Sequence, residues 1–374
     1  MGKANGASRP NGVGGADGVD GATWDVAVVG ATGAVGETML SILHERGFPV
    51  GRVHALASSR SAGSRVAFGD DELVVEDLAS FDFSTVQIGL FSPGASVSDV
   101  YAPKAAAAGC TVIDNTSRFR YEDDVPLVIP EVNAHAIPRA LEGEGARRII
   151  ANPNCSTIQM LVALKPLHDA FGVDRINVCT YQAVSGTGKA AIEELGNQTA
   201  RLLNGLDITT EVYPKQIAFN ALPHIDDFQD NGYTKEEMKM VWETRKILED
   251  ERIRVNPTCV RVPVFYGHSE AVHLETRRPV TASEARNLLR SAPGVVVVDD
   301  REDGGYPTAV TESAGTDPVF VGRIRKDISC ENGLDLWIVS DNVRKGAALN
   351  SVQIAEALVR EHLSPPRRRA RPAS

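Results

Sequence analysis

The chain has 374 residues, of which 43% are hydrophobic, and a formal net charge of -10 at pH 7. This length and composition predict a globular protein with two domains, each able to bury a core. The negative charge is spread along the chain, which argues against a general nucleic-acid-binding surface. No apolar run approaches the roughly 20 residues that span a bilayer, and no secretion signal opens the chain, so we expect a cytoplasmic protein without a membrane partner.

The two ends of the chain differ in composition from the rest. Residues 1–23 are rich in Gly, Ala, Asn and Asp, and residues 363–374 carry a basic R-R-R-A-R stretch between prolines. Segments of this kind cannot bury an apolar core, so we predict that both are disordered tails.

Strands and helices alternate after the first tail. The predicted strands are residues 25–30, 53–57, 86–91 and 111–114, and the predicted helices are residues 37–46 and 101–109. Short apolar runs that alternate with amphipathic helices are typical of a parallel sheet covered on both faces. We therefore predict an α/β fold with a Rossmann-type, doubly wound nucleotide-binding domain at residues 24–153.

A glycine-rich loop, G-A-T-G-A-V-G, connects the first predicted strand to the first predicted helix. Glycine allows the backbone to approach a pyrophosphate, and the start of a helix offers free N–H groups. This position favours a dinucleotide site over the alternative of a plain tight turn. The loop residues predicted to contact the cofactor are Gly30, Thr32, Gly33, Ala34, Val35 and Gly36.

The residues after the second predicted strand indicate which dinucleotide is bound. Sites for NAD usually place Asp or Glu here, whereas this chain has Ser58, Ser59 and Arg60. Two hydroxyls and a guanidinium suit a 2′-phosphate, so the sequence favours NADP as the cofactor. The alternative is an ordinary solvated loop arginine.

The pattern changes in the second half of the chain. Predicted strands at residues 260–264, 271–276, 295–299 and 334–340 are mixed with predicted helices at residues 189–204 and 234–249. This mixture predicts a second, α+β domain over residues 154–340. A last helix near residues 346–362 follows, and we expect residues 341–362 to return to the first domain.

One cysteine has a setting that could activate it. Five are present, an odd number without a C-x-x-C pair, which disfavours a disulfide framework and a zinc site, so no metal is expected. Asn154 is a good helix N-cap, and Cys155 would occupy the first helical position. The helix dipole there stabilises a thiolate, so we predict a lowered thiol pKa and a nucleophilic role for Cys155.

Several long motifs together resemble the aspartate-semialdehyde dehydrogenase family. They are N-P-N-C-S-T (152–157), Y-Q-A-V-S-G-T-G (181–188), D-N-T-S-R-F-R (114–120), I-P-E-V-N (129–133), R-V-P (261–263) before H-S-E (268–270), F-V-G-R-I-R (320–325) and S-D-N (340–342). The likeness runs from about residue 24 to residue 362, in the family's order.

The resemblance implies a reaction and a set of roles. L-aspartyl-4-phosphate and NADPH would give L-aspartate 4-semialdehyde through a thioester on Cys155, on the route to lysine and diaminopimelate, threonine, methionine and isoleucine. His268 would be the acid/base, since histidine titrates near neutral pH. The remaining matched positions are Gln182 (substrate orientation), Arg261 (α-carboxylate), Arg120 and Lys239 (phosphate), Glu236 (ammonium), and Ser185, Gly186 and Asn342 (cofactor).

The family also implies a homodimer or homotetramer in which the second domain serves catalysis and dimerisation, with the helical insertion near residues 189–250 contributing to the interface. Three other functions stay open on the sequence. N-acetyl-γ-glutamyl-phosphate reductase shares the chemistry, but an acetylated amine would not need Glu236. Glyceraldehyde-3-phosphate dehydrogenase is disfavoured by the missing acidic residue for NAD. A silent nucleotide-binding regulator would need neither Cys155 nor His268.

Overall fold

The computed structural model describes residues 22–143 and 145–364. Most of the two predicted tails, namely residues 1–21 of the first and residues 365–374 of the second, therefore lies outside the described residues. Two positions assigned to the tails do pack on the first core, namely Ala22 and Leu363. The Leu363 amide also donates to the Leu358 carbonyl at 2.8 Å, so the ordered chain extends slightly further than the composition predicted.

The first sheet has six strands in the order β5-β2-β1-β6-β7-β8, and all of its neighbouring strands are parallel. The strands are β1 Trp24–Val29, β2 Val50–Ala57, β5 Glu76–Asp77, β6 Ile88–Phe91, β7 Thr111–Asp114 and β8 Ile149–Ala151, and a small hairpin of β3 Arg65–Phe68 and β4 Asp71–Val74 lies beside them. The order reverses next to β1, which confirms the predicted doubly wound fold.

Helices cover both faces of the first sheet. They are α1 Ala34–Glu45, α2 Ala95–Ala107 and α3 Pro130–Asn133, joined by α8 Leu349–Ala357 with π-helical turns at Arg344–Ala348 and Leu358–His362. The apolar face of α1 is buried against the sheet, with Met39, Leu40, Ile42 and Leu43 in the core. Helix α8 packs against α1, so the end of the chain returns to this sheet.

The second sheet is mixed, with the order β10-β9-β11-β14-β13-β12. Its strands are β9 Val173–Gln182, β10 Arg254–Arg261, β11 His268–Thr276, β12 Val295–Val297, β13 Val319–Lys326 and β14 Gly333–Ser340. One face carries three helices, α4 Cys155–Phe171, α6 Lys235–Leu248 and α7 Ala282–Ser291, while α5 Lys189–Leu203 nucleates a small separate core.

One predicted strand is misplaced. The sequence placed it at residues 260–264, but β10 spans Arg254–Arg261. It is an edge strand with a proline in its interior, Pro257, which an edge tolerates because one row of N–H groups is unpaired. The apolar residues Val262 and Val264 that prompted the prediction lie in the turn after it.

The connection between the sheets decides where the candidate site lies. Strand β8 is the last strand of the first sheet, and α4 begins four residues later at Cys155 and packs on the second sheet. The start of α4 therefore sits at the junction of the two sheets. Within the described residues, no helix is both long enough and apolar enough to cross a membrane.

Candidate active site

Cys155 occupies the first position of α4, as the sequence predicted. The Asn154 side chain accepts hydrogen bonds from the amides of Ser156 at 3.0 Å and Thr157 at 3.3 Å, which is the expected N-cap. Gly346, in the π-helical turn before α8, crosses directly over the cysteine. A Cβ at Gly346 would lie 2.8 Å from the Cys155 Cβ, so only glycine permits this approach.

A cavity of about 290 Å³ surrounds the thiol. It brings together predicted site residues from seven separate parts of the chain. These lining residues are Val35, Arg120, Cys155, Gln182, Ser185, Gly186, Glu236, Lys239, Arg261 and Asn342, with Asn115, Ser117, Asn154, Val343 and Gly346 among their neighbours.

The predicted lowering of the thiol pKa is wrong for this structure. Burial raises the pKa of Cys155 to about 12, and the negative charge of Glu236 adds to the effect. The cations of Arg261, Arg120 and Lys239 act in the opposite direction but do not outweigh burial. The first turn of α4 therefore positions the sulfur at the cavity, but the helix dipole is too weak to offset the cost of ionising a buried thiol.

His268 begins β11 and lies fully buried beside Gly186. Its Nδ1 accepts a hydrogen bond from the Ala183 amide at 3.0 Å, which leaves Nε2 to carry the proton of the neutral ring. Burial, reinforced by the Arg261 cation, lowers the pKa of His268 to about 3, so the expectation of a near-neutral value is also corrected. A Cβ at Gly186 would lie 3.4 Å from Nε2, which places this atom just behind the cavity wall.

Glu236 and Lys239 form an ion pair on the cavity wall. The Lys239 Nζ donates to Glu236 at 2.9 Å and to Asp226 at 2.7 Å. Burial alone would raise the pKa of Glu236, but the adjacent Lys239 cation lowers it to about 2. The other Glu236 oxygen accepts from the side-chain amides of Asn154 at 2.9 Å and Gln182 at 3.3 Å.

The two arginines of the cavity are almost fully buried. Arg261 is 5% exposed, and its Nη1 donates to the Ala183 carbonyl at 2.7 Å. Arg120 is 7% exposed, and it donates to the Asn115 carbonyl at 2.9 Å and to Glu243 at 3.2 Å. The nearby Arg118 lies outside the cavity lining and pairs with Asp99 and Glu122 instead.

A second cleft, of about 560 Å³, lies at the carboxyl edge of the first sheet. Six of the predicted cofactor residues line it, namely Gly30, Thr32, Gly33, Ser58, Ser59 and Arg60. Gly30 has a φ of +85°, and a Cβ there would lie 2.7 Å from the Ser92 carbonyl oxygen. Ala34 and Gly36 lie in the first turn of α1 behind the loop, whereas Val35 reaches the thiol cavity.

The remaining predicted cofactor residues lie in the thiol cavity rather than in this cleft. Ser185 and Asn342 hydrogen-bond to each other at 3.0–3.1 Å, and Asn342 also accepts from the Gly267 amide at 3.0 Å. The predicted cofactor residues therefore run from the cleft at Arg60 to the cavity at Cys155. A dinucleotide that bridges the two would bring its reactive end to the thiol.

Sequence reasoning missed the groups that hold the cavity wall in place. Glu243 is the main one, as a buried partner of both Arg120 and the Asn154 amide. A chain of amides also ties the wall to the C-terminal helix: Asn152 donates to Asn115 at 2.8 Å, and Asn350 donates to Asn152 at 2.7 Å. A usable signal for Glu243 was its spacing, four residues after Lys239 on the same helical face.

A doubly wound dinucleotide-binding sheet beside a cavity with a thiol and paired ionised groups is typical of dehydrogenases. Comparison with known families narrows this class. The family model described as semialdehyde dehydrogenase, NAD binding domain, matches residues 25–140, and the model described as semialdehyde dehydrogenase, dimerisation domain, matches residues 164–345. The chain belongs to the aspartate-semialdehyde dehydrogenase family.

Individual relatives agree with this assignment. An aspartate-semialdehyde dehydrogenase of Shewanella violacea is 63% identical over 339 residues, covering 91% of this chain and 98% of the relative. One from Legionella pneumophila is 65% identical, with 91% and 96% covered. A crystal structure of aspartate semialdehyde dehydrogenase II from Vibrio cholerae, complexed with ASA, matches with a TM-score of 0.88 and 57% identity, covering 91% of this chain and 99% of that one.

Proposed function

We propose that this protein catalyses the reversible, NADPH-dependent reductive dephosphorylation of L-aspartyl-4-phosphate to L-aspartate 4-semialdehyde. The observation that carries the proposal is the set of charges around Cys155. One small cavity contains two buried arginines, a lysine and a buried carboxylate, all of which act electrostatically on the thiol. A substrate with a carboxylate, a phosphate and an ammonium group would match this set.

Each charge has a proposed partner on the substrate. Arg261 would hold the α-carboxylate, since its guanidinium fork is free to form two parallel hydrogen bonds beyond the one to Ala183. Arg120 and Lys239 would contact the phosphate. Glu236 would accept the ammonium group, and Gln182, which already hydrogen-bonds to Glu236, would orient the reacting carbonyl.

Substrate binding would also change the ionisation of the thiol and the imidazole. The ammonium group would neutralise Glu236, the charge that most raises the pKa of Cys155. The α-carboxylate would neutralise Arg261, whose cation helps to lower the pKa of His268. Loss of the Glu236 charge favours ionisation of Cys155, and loss of the Arg261 charge favours protonation of His268. To take the thiol proton, the imidazole would also have to turn away from the Ala183 amide, because Nε2 already carries a proton in the neutral ring. Activation of the nucleophile would therefore depend on the correct substrate.

The proposed covalent steps begin at Cys155. The Cys155 thiolate forms a C–S bond with the acyl carbon, and the C–O bond to phosphate breaks, which leaves a thioester. NADPH, when bound, supplies the hydride that reduces this thioester. The C–S bond breaks as the aldehyde forms, and the thiolate recovers a proton from His268.

The preference for NADP is supported by the second cleft. Arg60 is exposed there beside Ser58 and Ser59, and it forms no ion pair with any residue in the described part of the chain. The carboxylate in the lining, Asp77, already accepts from the Ala79 amide at 3.0 Å. A structural relative from Candida albicans, with 26% identity, a TM-score of 0.70, and 90% of this chain and 98% of that chain covered, is described as being with NADP.

The wider biological setting is proposed from the family. The reaction would serve the aspartate pathway to lysine and diaminopimelate, threonine, methionine and isoleucine. A homodimer or homotetramer would form through the second domain, and the free face of its sheet carries Tyr181 and Trp337, whose rings lie 5.6 Å apart. We place the domain boundaries at residues 24–153 with 341–362, and at residues 154–340.

A coupled assay tests the reaction. The protein is given aspartate semialdehyde, phosphate and NADP, and reduction of the nicotinamide is followed beside a reaction with the N-acetylglutamate semialdehyde analogue. We expect turnover that requires phosphate and the free amine. Turnover with the acetylated substrate but not with aspartate semialdehyde would identify an N-acetyl-γ-glutamyl-phosphate reductase. No turnover with either substrate would overturn the proposal.

A further inference from the structure

Glu243 is a fully buried carboxylate in the middle of α6 that does not line the thiol cavity. One of its oxygens accepts from the Asn154 backbone amide at 2.6 Å. The other accepts from the Arg120 Nη1 and from the Tyr121 hydroxyl, both at 3.2 Å. A buried carboxylate is costly unless it is fully hydrogen-bonded, and these contacts meet that need.

The partners of Glu243 belong to two different parts of the site. Arg120 follows β7 in the first sheet, and its guanidinium faces the cavity. The Asn154 amide belongs to the residue that caps α4, directly before Cys155. Glu243 therefore fixes one cation of the substrate site and the backbone of the nucleophile to a single rigid helix.

A second residue of α6 shows that the Arg120 backbone is held independently. The Lys246 Nζ donates to the carbonyls of Arg120 at 2.9 Å and Glu122 at 2.7 Å. Removal of the Glu243 charge would therefore leave the backbone of this segment in place. The Arg120 guanidinium and the turn before Cys155 would instead lose the contact that fixes their positions.

We propose that Glu243 is a positioning residue that fixes the Arg120 guanidinium relative to the Cys155 thiol. The phosphate would then be bound with its acyl carbon within reach of the thiol. The inference rests on the proposed function, because it needs a phosphate-bearing substrate. In the reverse direction, the same placement of Arg120 would align free phosphate with the thioester carbonyl.

The test compares two glutamates of the same helix. Glu243→Gln keeps the shape of the side chain but removes its charge and replaces one acceptor oxygen with an N–H₂ group, which cannot accept from these donors. We expect the KM for phosphate in the reverse reaction to rise roughly tenfold or more, which is the effect of one misplaced charged contact, while the KM for NADP changes less than about twofold. The control is Glu237→Gln, since Glu237 is also buried and accepts from the amides of Thr234 at 2.7 Å and Cys259 at 3.0 Å without lining the cavity.

The outcomes separate this inference from the proposed function. A wild-type chain without phosphate-dependent turnover would defeat the proposed function. An active wild type whose phosphate KM is unchanged in Glu243→Gln, or rises equally in Glu237→Gln, would overturn the role of Glu243. If Glu243→Gln does not fold, Glu243→Asp retains the charge at a shorter reach, and its phosphate KM should rise selectively by a smaller factor.

Discussion

The two clefts of this molecule are built in different ways. The second cleft, where we propose that the dinucleotide binds, consists mainly of backbone and short side chains from neighbouring turns of one sheet, and Arg60 is left without a partner among the described residues. The thiol cavity contains charged side chains from distant segments, and most of them are already paired: Lys239 with Glu236 and Asp226, and Arg120 with Glu243. The cleft at Arg60 offers an unpaired cation, whereas we expect the thiol cavity to exchange internal contacts for contacts with its substrate.

This comparison predicts the largest effect at Arg261, which combines burial with a fork-shaped group. Arg261→Lys keeps the charge but cannot form two parallel hydrogen bonds to a carboxylate. We expect kcat/KM for aspartate semialdehyde to fall by a factor equivalent to about 2–4 kcal/mol. Steady-state kinetics with each substrate varied in turn checks this, and a loss below about threefold would remove Arg261 from the carboxylate site.

Lys239 should show a smaller and more selective effect. Lys239→Ala removes a proposed phosphate contact and also leaves Glu236 and Asp226 without their shared cation, so phosphate should be repelled. The KM for phosphate should rise about tenfold, more than the KM for the semialdehyde. Lys165→Ala, which removes an exposed pair with Asp169, is the control. An unchanged phosphate KM would leave the phosphate to Arg120 alone.

At the cleft that contains Arg60, we expect a change in the preference for NADP over NAD and little change in kcat. Arg60→Ala should raise the KM for NADP roughly tenfold, the worth of one charge-assisted hydrogen bond, and leave the KM for NAD nearly unchanged. The kcat should stay within about twofold because Arg60 is remote from the thiol. Equal kcat/KM values for NADP and NAD in the wild type would contradict the assignment of the cleft.

The smallest effect concerns Glu270, which is fully buried in β11 beside Gln159. Burial raises the pKa of Glu270 well above its ordinary value of 4.5, so the folded chain binds a proton that the unfolded chain releases. Stability should therefore decline as the pH rises from about 4.5 toward the folded-state pKa. Glu270→Gln removes the titrating group, and its stability relative to the wild type should increase over the same range.

Thermal unfolding measured across that pH range tests the Glu270 prediction. Glu194→Gln is a useful contrast because Glu194 is also buried but accepts from the amides of Glu211, Val212 and Tyr213. That variant should lose stability at neutral pH. A parallel pH dependence in the wild type and Glu270→Gln would show that Glu270 does not carry the effect.

The sequence predicted the geometry of the glycine-rich loop better than the electrostatics of the thiol cavity, for a physical reason. A parallel strand, a glycine turn and a helix are local in sequence, so the spacing from Gly30 to Gly36 determines the geometry. The same holds for Asn154 and Cys155, whose cap depends on one turn. The strand at Arg254–Arg261 was misplaced because an edge strand does not need an apolar run.

The electrostatics of the cavity could not be predicted in this way. The pKa values of Cys155 and His268 depend on burial and on Glu236 and Arg261, which only the fold brings near them. The family resemblance supplied the identities of these residues, but not the balance between burial and charge. Glu243 was missed because it touches no substrate position, although its helical spacing from Lys239 was visible.

The most direct test of the account is a reaction without phosphate. With aspartate semialdehyde and NADP alone, the aldehyde should add to Cys155 and lose a hydride to the nicotinamide. The thioester should then accumulate, because no phosphate is present to accept the acyl group. We predict a burst of about one reduced nicotinamide per active site, an acyl group on the Cys155 peptide by mass spectrometry, and neither signal in Cys155→Ala. A burst that persists in Cys155→Ala, or acylation of another residue, would contradict the central role of this thiol.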